Sequence, residues 1–419
     1  MIARVFDAVN DPIMGMLVAK TKTKWGRFRP WIFSGTIINA FITYGLFAVP
    51  GWCTGKTLMV YFAVVYIFWG MSYTLMDIPY WSMIPALTNT SEDRENMSTI
   101  GRSCAGVGSA LITVFTIIIV PRIGAALASG KGKGFQERVG FQWFALLIAV
   151  IFIVAEVICC INVKEKKLIT TESPSVKEMF SALLNNDQAI TVVVTIALVN
   201  TALYITSNLL IYFFKYDYGT KSWNDAYAIF NTFGGAIQIL SMMLFLPLLR
   251  KKLSVLACFK TGLIMSICGY AVLLLMCFVG LSGNVYILLI PGFMVFAGNG
   301  ILTVLTTLLL ANTCDYGELK NGHREESVIF SMQTFVVKLA SGVAAFVTGI
   351  GIDVIGLVGN NSTEGEIVKQ SEGTLIGLRM IMTIFPILVL CIAFFFFFKK
   401  YILTEEKLLE IQEKLKRQA

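Results

Sequence analysis

The chain has 419 residues, of which 56% are hydrophobic and 14% charged, with a formal net charge of +8. Globular domains carry about 25% charged residues, so the composition excludes a soluble domain and indicates a protein that crosses the bilayer many times. A single histidine excludes a multi-histidine metal centre, and the Lys and Arg residues lie mostly in short loops between apolar runs. That pattern reflects membrane topology and indicates no nucleic-acid partner.

Eleven apolar stretches are long enough to cross the hydrocarbon core, which takes about 20 mostly apolar helical residues. They lie near residues 1–19, 31–50, 58–87, 97–121, 140–162, 188–214, 224–249, 254–280, 285–311, 325–355 and 373–402. The predicted fold class is therefore all-α and polytopic. Residue 1 already falls inside an apolar stretch, and eleven is an odd total for two repeated halves. We therefore expect that the first helix of twelve is missing and that the natural architecture is six plus six.

The loop after the first stretch, residues 20–30 (KTKTKWGRFRP), has five positive charges and no acid. Cytoplasmic loops are enriched in Lys and Arg, so we place this loop and the C-terminal tail in the cytoplasm of a multi-pass protein of the cell membrane. The loop 122–139 is also basic, although this orientation puts it outside.

The longest charged connection in the middle of the chain covers residues 163–187. It predicts a cytoplasmic linker between an N-terminal helical bundle of five spans, 1–162, and a C-terminal bundle of six spans, 188–402. In residues 403–419 apolar side chains recur near helical spacing, which predicts a short helix in a cytoplasmic tail.

Charged residues inside the first stretch indicate a polar path. Arg4, Asp7 and Asp11 share one helix face, with Asn10 at its edge. Ionisable groups inside a membrane cost roughly 2.5–3.5 kcal/mol each on insertion scales, so they usually line a cavity and mark an ion or substrate path. Carboxylate and amide oxygens suit a small hard cation, but the same carboxylates could hold a proton instead.

The third stretch combines a carboxylate with aromatic hydrogen-bond donors. Tyr73, Asp77 and Trp81 are spaced i, i+4, i+8, with Thr74 beside them. Sugars need this mixture, because their hydroxyls require acceptors and the apolar side of the ring packs on an aromatic face. The alternative is that Asp77 pairs with a neighbouring Arg for structural reasons alone.

Two cations lie in later stretches and need partners. Arg102 is at the start of one span, and Lys338 shares a broad face of the tenth visible span with Gln333 and Thr334. The acids described above are the obvious candidates, although the pairs cannot be assigned from sequence. A purely structural counter-ion role for Lys338 remains open.

A second charged group lies in the connection before the tenth visible span. It includes Asp315, Glu318 and Arg324. We expect these side chains to be solvated or interfacial. The alternative is a charge network, including Arg4, that closes the cytoplasmic mouth.

These motifs resemble the glycoside-pentoside-hexuronide:cation symporters of the major facilitator superfamily. The matching segments are 7–15 (DAVNDPIMG), 24–31 (KWGRFRPW), 73–82 (YTLMDIPYWS) and 315–318 (DYGE), with Lys338 downstream. Their order and spacing extend from the first residue to about residue 342. The resemblance implies a two-bundle fold of twelve helices, alternating access, and sugar uptake driven by a sodium, lithium or proton gradient.

The resemblance also implies roles for single residues. Asp7, Asn10, Asp11 and Thr74 match the family's cation site, and this full set favours sodium as the coupling ion. The positions that match its sugar site are Tyr73, Asp77, Trp81 and Arg102, with Gln333, Thr334 and Lys338 on the facing helix. The resemblance further implies that the family's first helix supplies charged sugar contacts, and we expect these contacts to be missing with that helix.

We therefore predict a secondary active transporter that carries a sugar or glycoside into the cell together with Na⁺ or H⁺. We expect it to act as a monomer without a cofactor. The alternative is a truncated, non-transporting relic or a sensor derived from such a symporter. A membrane-embedded enzyme would need a catalytic loop with clustered acids or a nucleotide site, and no long soluble loop of that kind exists, so we predict that the protein is not an enzyme.

Overall fold

The computed structural model describes residues 2–88, 90–163, 165, 181, 184–218, 223–322, 326–358 and 369–418. Across these ranges the protein is helical, and its only β-type pairing is an isolated bridge between Thr23 and Gly26. The helices are α1 Ile2–Lys20, α2 Arg29–Phe47, α3 Gly55–Leu87, α4 Ser91–Leu127, α5 Lys133–Asn162, α6 Asp187–Tyr212, α7 Trp223–Leu240, α8 Leu246–Arg250, α9 Val255–Val279, α10 Val285–Asn321, α11 Glu326–Val354, α12 Glu372–Lys400 and α13 Glu405–Gln418. The all-α prediction is confirmed.

Within the described ranges, nine helical segments are long and apolar enough to cross a membrane. The segment from 92 to 127 becomes a tenth if its two parts, which meet at a bend of 42°, are one span. Pro121 lies in the second part and has no backbone N–H. The carbonyl four residues earlier, which lies at the break, therefore loses its helical hydrogen bond. The predicted total of eleven spans, with a further helix upstream, stays a prediction.

Two predicted loops are wrong because the helices continue into them. The basic stretch 122–139 is mostly helix, since α4 ends at Leu127 and α5 begins at Lys133. Likewise α10 continues to Asn321, so Asp315 and Glu318 are helical. Apolar composition marks only the part of a helix inside hydrocarbon, whereas the hydrogen-bonded backbone can extend past it into the interface.

The chain comprises two compact units. The first comprises residues 1–94, 104–186 and 317–335. Its core is an apolar cluster that includes Met14, Phe28, Ile78 and Cys160. Helices α2 and α3 approach closely at Gly35, where an added Cβ would come within 2.9 Å of the Leu75 Cβ.

The second unit comprises residues 95–103, 187–316 and 336–419. Its core is rich in aromatic residues around the π-helical segment Phe213–Tyr218, which continues α6. Another π-helical segment, Ser241–Phe245, links α7 to α8.

The predicted tail helix is present as α13. Its residues Leu408 and Ile411 are buried, and both belong to the second unit. At its start, Glu405 accepts a hydrogen bond from the Val255 backbone N–H at 2.9 Å and pairs with Arg250 at 3.2 Å. The helix is therefore docked on its own unit by an apolar face and a charged end.

The two-bundle division at 163–187 stays a prediction, because most of that segment lies outside the described residues.

Candidate functional site

The centre of the candidate site is a carboxylate–hydroxyl contact between α1 and α3. Asp11 and Thr74 are both fully buried, and the Thr74 Oγ1 hydroxyl donates to Asp11 Oδ1 at 2.9 Å. The same hydroxyl lies 3.1 Å from the Gly70 carbonyl oxygen. A threonine hydroxyl has one proton and two lone pairs. It can turn its proton to the Gly70 carbonyl, and its oxygen then faces Asp11 and can coordinate a cation together with the carboxylate.

Other members of the predicted cation site are described less fully. Asn10 is half-buried on α1, next to Asp11 in sequence. The backbone of Arg4 and Asp7 is helical, but their side chains lie outside the described part of the chain.

The second cluster lies along α3 itself. Asp77 Oδ1 accepts hydrogen bonds from the Tyr73 hydroxyl at 3.2 Å and from Trp81 Nε1 at 3.0 Å. Side chains four residues apart lie on one helix face, which is why this local cluster forms from sequence spacing alone. It combines a carboxylate acceptor with two aromatic rings, and it stays partly accessible because Tyr73 is 37% exposed.

One helix therefore carries both clusters. Thr74 directly follows Tyr73 and lies three residues before Asp77, a spacing that makes helical side chains neighbours, so the Asp11 contact and the Asp77 cluster lie side by side on α3. Asn39 of α2 holds a different side of α3, because its Nδ2 donates to Ser72 Oγ at 2.9 Å and to the Trp69 carbonyl at 3.2 Å. A movement of α3 would displace both clusters together.

The remaining predicted sugar-site residues are distributed over both units. Arg102 belongs to the second unit, where its Nε donates to Thr307 Oγ1 at 2.9 Å. Lys338, half-buried on α11, belongs to the same unit. Gln333 is buried and Thr334 donates to the Phe330 carbonyl at 3.2 Å, and these two belong to the first unit.

The prediction that Asp315 is solvated or interfacial is wrong, since α10 extends through this position and its side chain is buried. Asp315 is only 2% exposed, and Gln412 of α13 donates to its Oδ2 at 3.4 Å. Gln412 belongs to the docked α13, so this contact arises from tertiary packing that no local pattern around Asp315 reveals. Glu318 is half-buried at the end of α10, and Arg324 lies outside the described residues.

Sequence reasoning missed the role of Glu165. Its carboxylate accepts three backbone N–H bonds at the start of α2, from Arg27 at 2.6 Å, Phe28 at 3.0 Å and Arg29 at 2.9 Å. The first N–H groups of a helix have no partner within it, and Phe28 provides no side-chain cap. Gly26, with φ of +112°, makes room because an added Cβ would overlap the carboxylate.

The side chain of Arg27 makes an ion pair within the same unit. Its guanidinium lies 3.6 Å from Glu326 Oε2, and the Glu326 side chain is fully buried. The Arg27 Nε also donates to the Val18 carbonyl at 3.1 Å. This arginine therefore connects the end of α1 and the start of α2 to the start of α11.

Two ion pairs in the second unit were also missed. Arg250 forms a bidentate pair with Glu95, with an Nη2–Oε2 distance of 2.8 Å. Arg379 forms another with Asp217, at 2.9 and 2.6 Å. A useful signal was available for Arg379, because an arginine within an apolar span requires a partner.

Long apolar helices with a buried carboxylate–hydroxyl contact define a polytopic membrane protein with a polar interior site, the class in which transporters are found. The chain belongs to the MFS/sugar transport protein family, whose model matches residues 1–405. Within the major facilitator superfamily it is of the glycoside-pentoside-hexuronide symporter type.

Two relatives and one solved structure show how far the similarity extends. The raffinose carrier protein of Pediococcus pentosaceus is 28% identical over 100% of this chain and 63% of its own length. The uncharacterized symporter YjmB of Bacillus subtilis is 29% identical over 99% of this chain and 85% of its own. The chain thus spans under two thirds of the raffinose carrier.

The crystal structure of the MFS transporter FucP in the outward conformation matches 95% of this chain and 88% of its own, with a TM-score of 0.67 and 11% identity. At that identity the likeness shows the fold alone. The major facilitator fold is thereby confirmed.

Proposed function

We propose that the protein is a secondary active transporter that moves a glycoside into the cell together with Na⁺ or H⁺ by alternating access. The observation that carries this proposal is that α3 holds Thr74, in contact with the buried Asp11, three residues from Asp77 in its aromatic cluster. The relatives named above, a raffinose carrier and a symporter, support sugar as substrate and a coupling ion.

In the cation step, the ion neutralises Asp11. Oxygen atoms of carboxylate, hydroxyl and amide groups are suitable ligands for a small hard cation, and Asp11, Thr74 and Asn10 supply one of each. Thr74 keeps its proton satisfied by turning it to the Gly70 carbonyl. Sodium is our preferred ion, and a proton on the same carboxylate is the alternative.

In the sugar step, Asp77 accepts sugar hydroxyls while Tyr73 and Trp81 supply aromatic surface. A bound sugar shares Asp77 with these two donors, whose hydrogen bonds hold the carboxylate in position. We keep Arg102, Gln333, Thr334 and Lys338 as further sugar-site residues on the strength of the family resemblance.

Coupling follows because both ligands act on one rigid helix. An ion bound at Asp11 fixes the position of Thr74 and therefore of Tyr73 and Asp77. By reciprocity, each ligand must raise the affinity for the other by the same factor. We place the protein in the cell membrane as a monomer, with the 20–30 loop and the C-terminus in the cytoplasm.

Uptake of a panel of labelled glycosides, with and without sodium and across pH, tests the proposal. We expect Asp11→Asn to abolish cation stimulation while the protein still folds, because the amide keeps the shape but removes the charge. Asp353→Asn, at an exposed position on α11, is the matched control and should retain stimulation. Sodium-stimulated uptake that persists in Asp11→Asn contradicts the role of Asp11. Sugar binding by the wild type that is identical with and without sodium and across pH contradicts the coupled mechanism.

A further inference from the structure

Four aromatic rings form a continuous ladder on one face of α3. Phe62 and Tyr66 have ring centroids 5.9 Å apart, Tyr66 and Trp69 5.7 Å, and Trp69 and Tyr73 5.9 Å. The angles between successive ring planes are only 22°, 27° and 29°. The ladder ends at Tyr73, whose hydroxyl donates to Asp77.

The separations show that the rings are offset. Two nearly parallel rings in full face-to-face contact would lie closer than these pairs do, so each ring leaves part of its face uncovered by the next. Spacings of four, three and four residues keep the ladder on one helix face over about 17 Å of rise from Phe62 to Tyr73. The side-chain contacts to α1 and α2 described above use other faces, at Thr74 and Ser72, and the contact of Asn39 with Trp69 is to its backbone carbonyl.

The ladder is also accessible, because Phe62 is 54% exposed and Tyr73 37% exposed. In the proposed orientation Phe62 lies toward the outer end of α3, so the rings extend from the outer side to the Asp77 cluster. Tyr66 and Trp69 each add a polar tip to an apolar ring. That combination suits a sugar, which presents an apolar face and a rim of hydroxyls, better than it suits lipid chains.

We propose that the Phe62–Tyr66–Trp69–Tyr73 ladder is an approach path along which a glycoside ring slides over successive aromatic faces to Asp77. This inference rests on the proposed sugar transport and adds a route to it. The ladder holds the sugar weakly at each ring, which shortens the search for the Asp77 cluster without changing the final bound state. It therefore acts on the association rate and leaves the equilibrium affinity alone.

The test replaces outer rings with leucine in the full-length protein. Phe62→Leu and Tyr66→Leu remove a ring face and keep apolar bulk. Phe68→Leu is the matched control, because Phe68 is on the same helix, is also 54% exposed and lies off the ladder. The measurements are the initial uptake rate at sugar concentrations far below KM and the equilibrium Kd by calorimetry, for a glycoside that the wild type transports.

We expect each ladder variant to lower the uptake rate about twofold to tenfold, the effect of one aromatic contact. Its Kd should stay within a factor of two of wild type, which also verifies that the variant is folded, and Phe68→Leu should match wild type in both measurements.

Equal uptake rates in Phe62→Leu and Phe68→Leu overturn the approach path. A Kd that weakens in step with the rate also overturns it, because the rings would then belong to the final site. A wild-type protein that binds no glycoside in the panel contradicts the proposed function itself.

Discussion

Replacement of Glu165 by glutamine tests how the start of α2 is held. The two carboxylate oxygens accept three backbone N–H bonds, at 2.6, 3.0 and 2.9 Å. Hydrogen bonds to a charged group contribute about 1.5–3 kcal/mol each and neutral ones about 0.5–1.5 kcal/mol. Glutamine has one acceptor oxygen, and its NH₂ group cannot accept, so at least one bond is lost and the others lose the charge.

Because the site is only partly buried, water restores part of the hydrogen-bond stabilisation that the substitution removes. We therefore expect Glu165→Gln to lower the free energy of unfolding by about 2–3 kcal/mol. A loss of 2 kcal/mol raises the unfolding equilibrium constant about thirtyfold. Denaturant titration in detergent micelles, followed by circular dichroism, measures the change. Glu137→Gln, at an exposed position on α5, is the control and should shift stability by less than about 0.5 kcal/mol.

Gly26→Ala provides an independent check on the same contact. An alanine there needs a φ of +112° and displaces the Glu165 carboxylate. Combined with Glu165→Gln it should cost clearly less than the sum of the two single changes, since both remove one interaction. Additive costs, or a Glu165→Gln protein as stable as wild type, would refute the capping role.

Two other substitutions test the site and the second unit. Trp81→Phe keeps a ring but removes the indole N–H that donates to Asp77 at 3.0 Å. Calorimetry should therefore show sugar affinity reduced about tenfold. Unchanged affinity would exclude this contact from the sugar site. Arg379→Met leaves the Asp217 carboxylate, whose side chain is 1% exposed, without its bidentate partner. Thermal unfolding should then show that the free energy of unfolding falls by about 3–5 kcal/mol, and by less when Asp217→Val is added. A double variant that is less stable than Arg379→Met alone contradicts this account.

Local spacing made the Asp77 cluster predictable. Tyr73 and Trp81 each lie four residues from Asp77, a separation that places side chains together on any α-helix, and the structure shows both hydrogen bonds. The spans were predictable for a similar reason, because a run of apolar side chains can avoid water only inside the bilayer or a core. The charged ends of the helices were not predictable, as α5 and α10 show, since helical hydrogen bonding continues where the hydropathy of the sequence has already changed.

Contacts between distant segments required the fold. Glu165 caps a helix about 137 residues earlier in the chain, and Asp217 pairs with Arg379 across 162 residues. Many acids in the sequence were chemically possible partners for each of these groups. The choice depends on which helices pack side by side, and helix packing depends on the shapes of whole surfaces.

By itself, the sequence determined that this protein consists of membrane helices. It also determined that α1 carries acids and that α3 carries a stripe of aromatic residues around a carboxylate. These properties depend on residues within a few turns of each other. Only the tertiary structure decided that Thr74 meets Asp11, that Asp315 is covered by α13 and that Glu165 caps α2. Each of these contacts joins segments whose proximity is set by close packing of the helices between them, and close packing is a property of the whole fold.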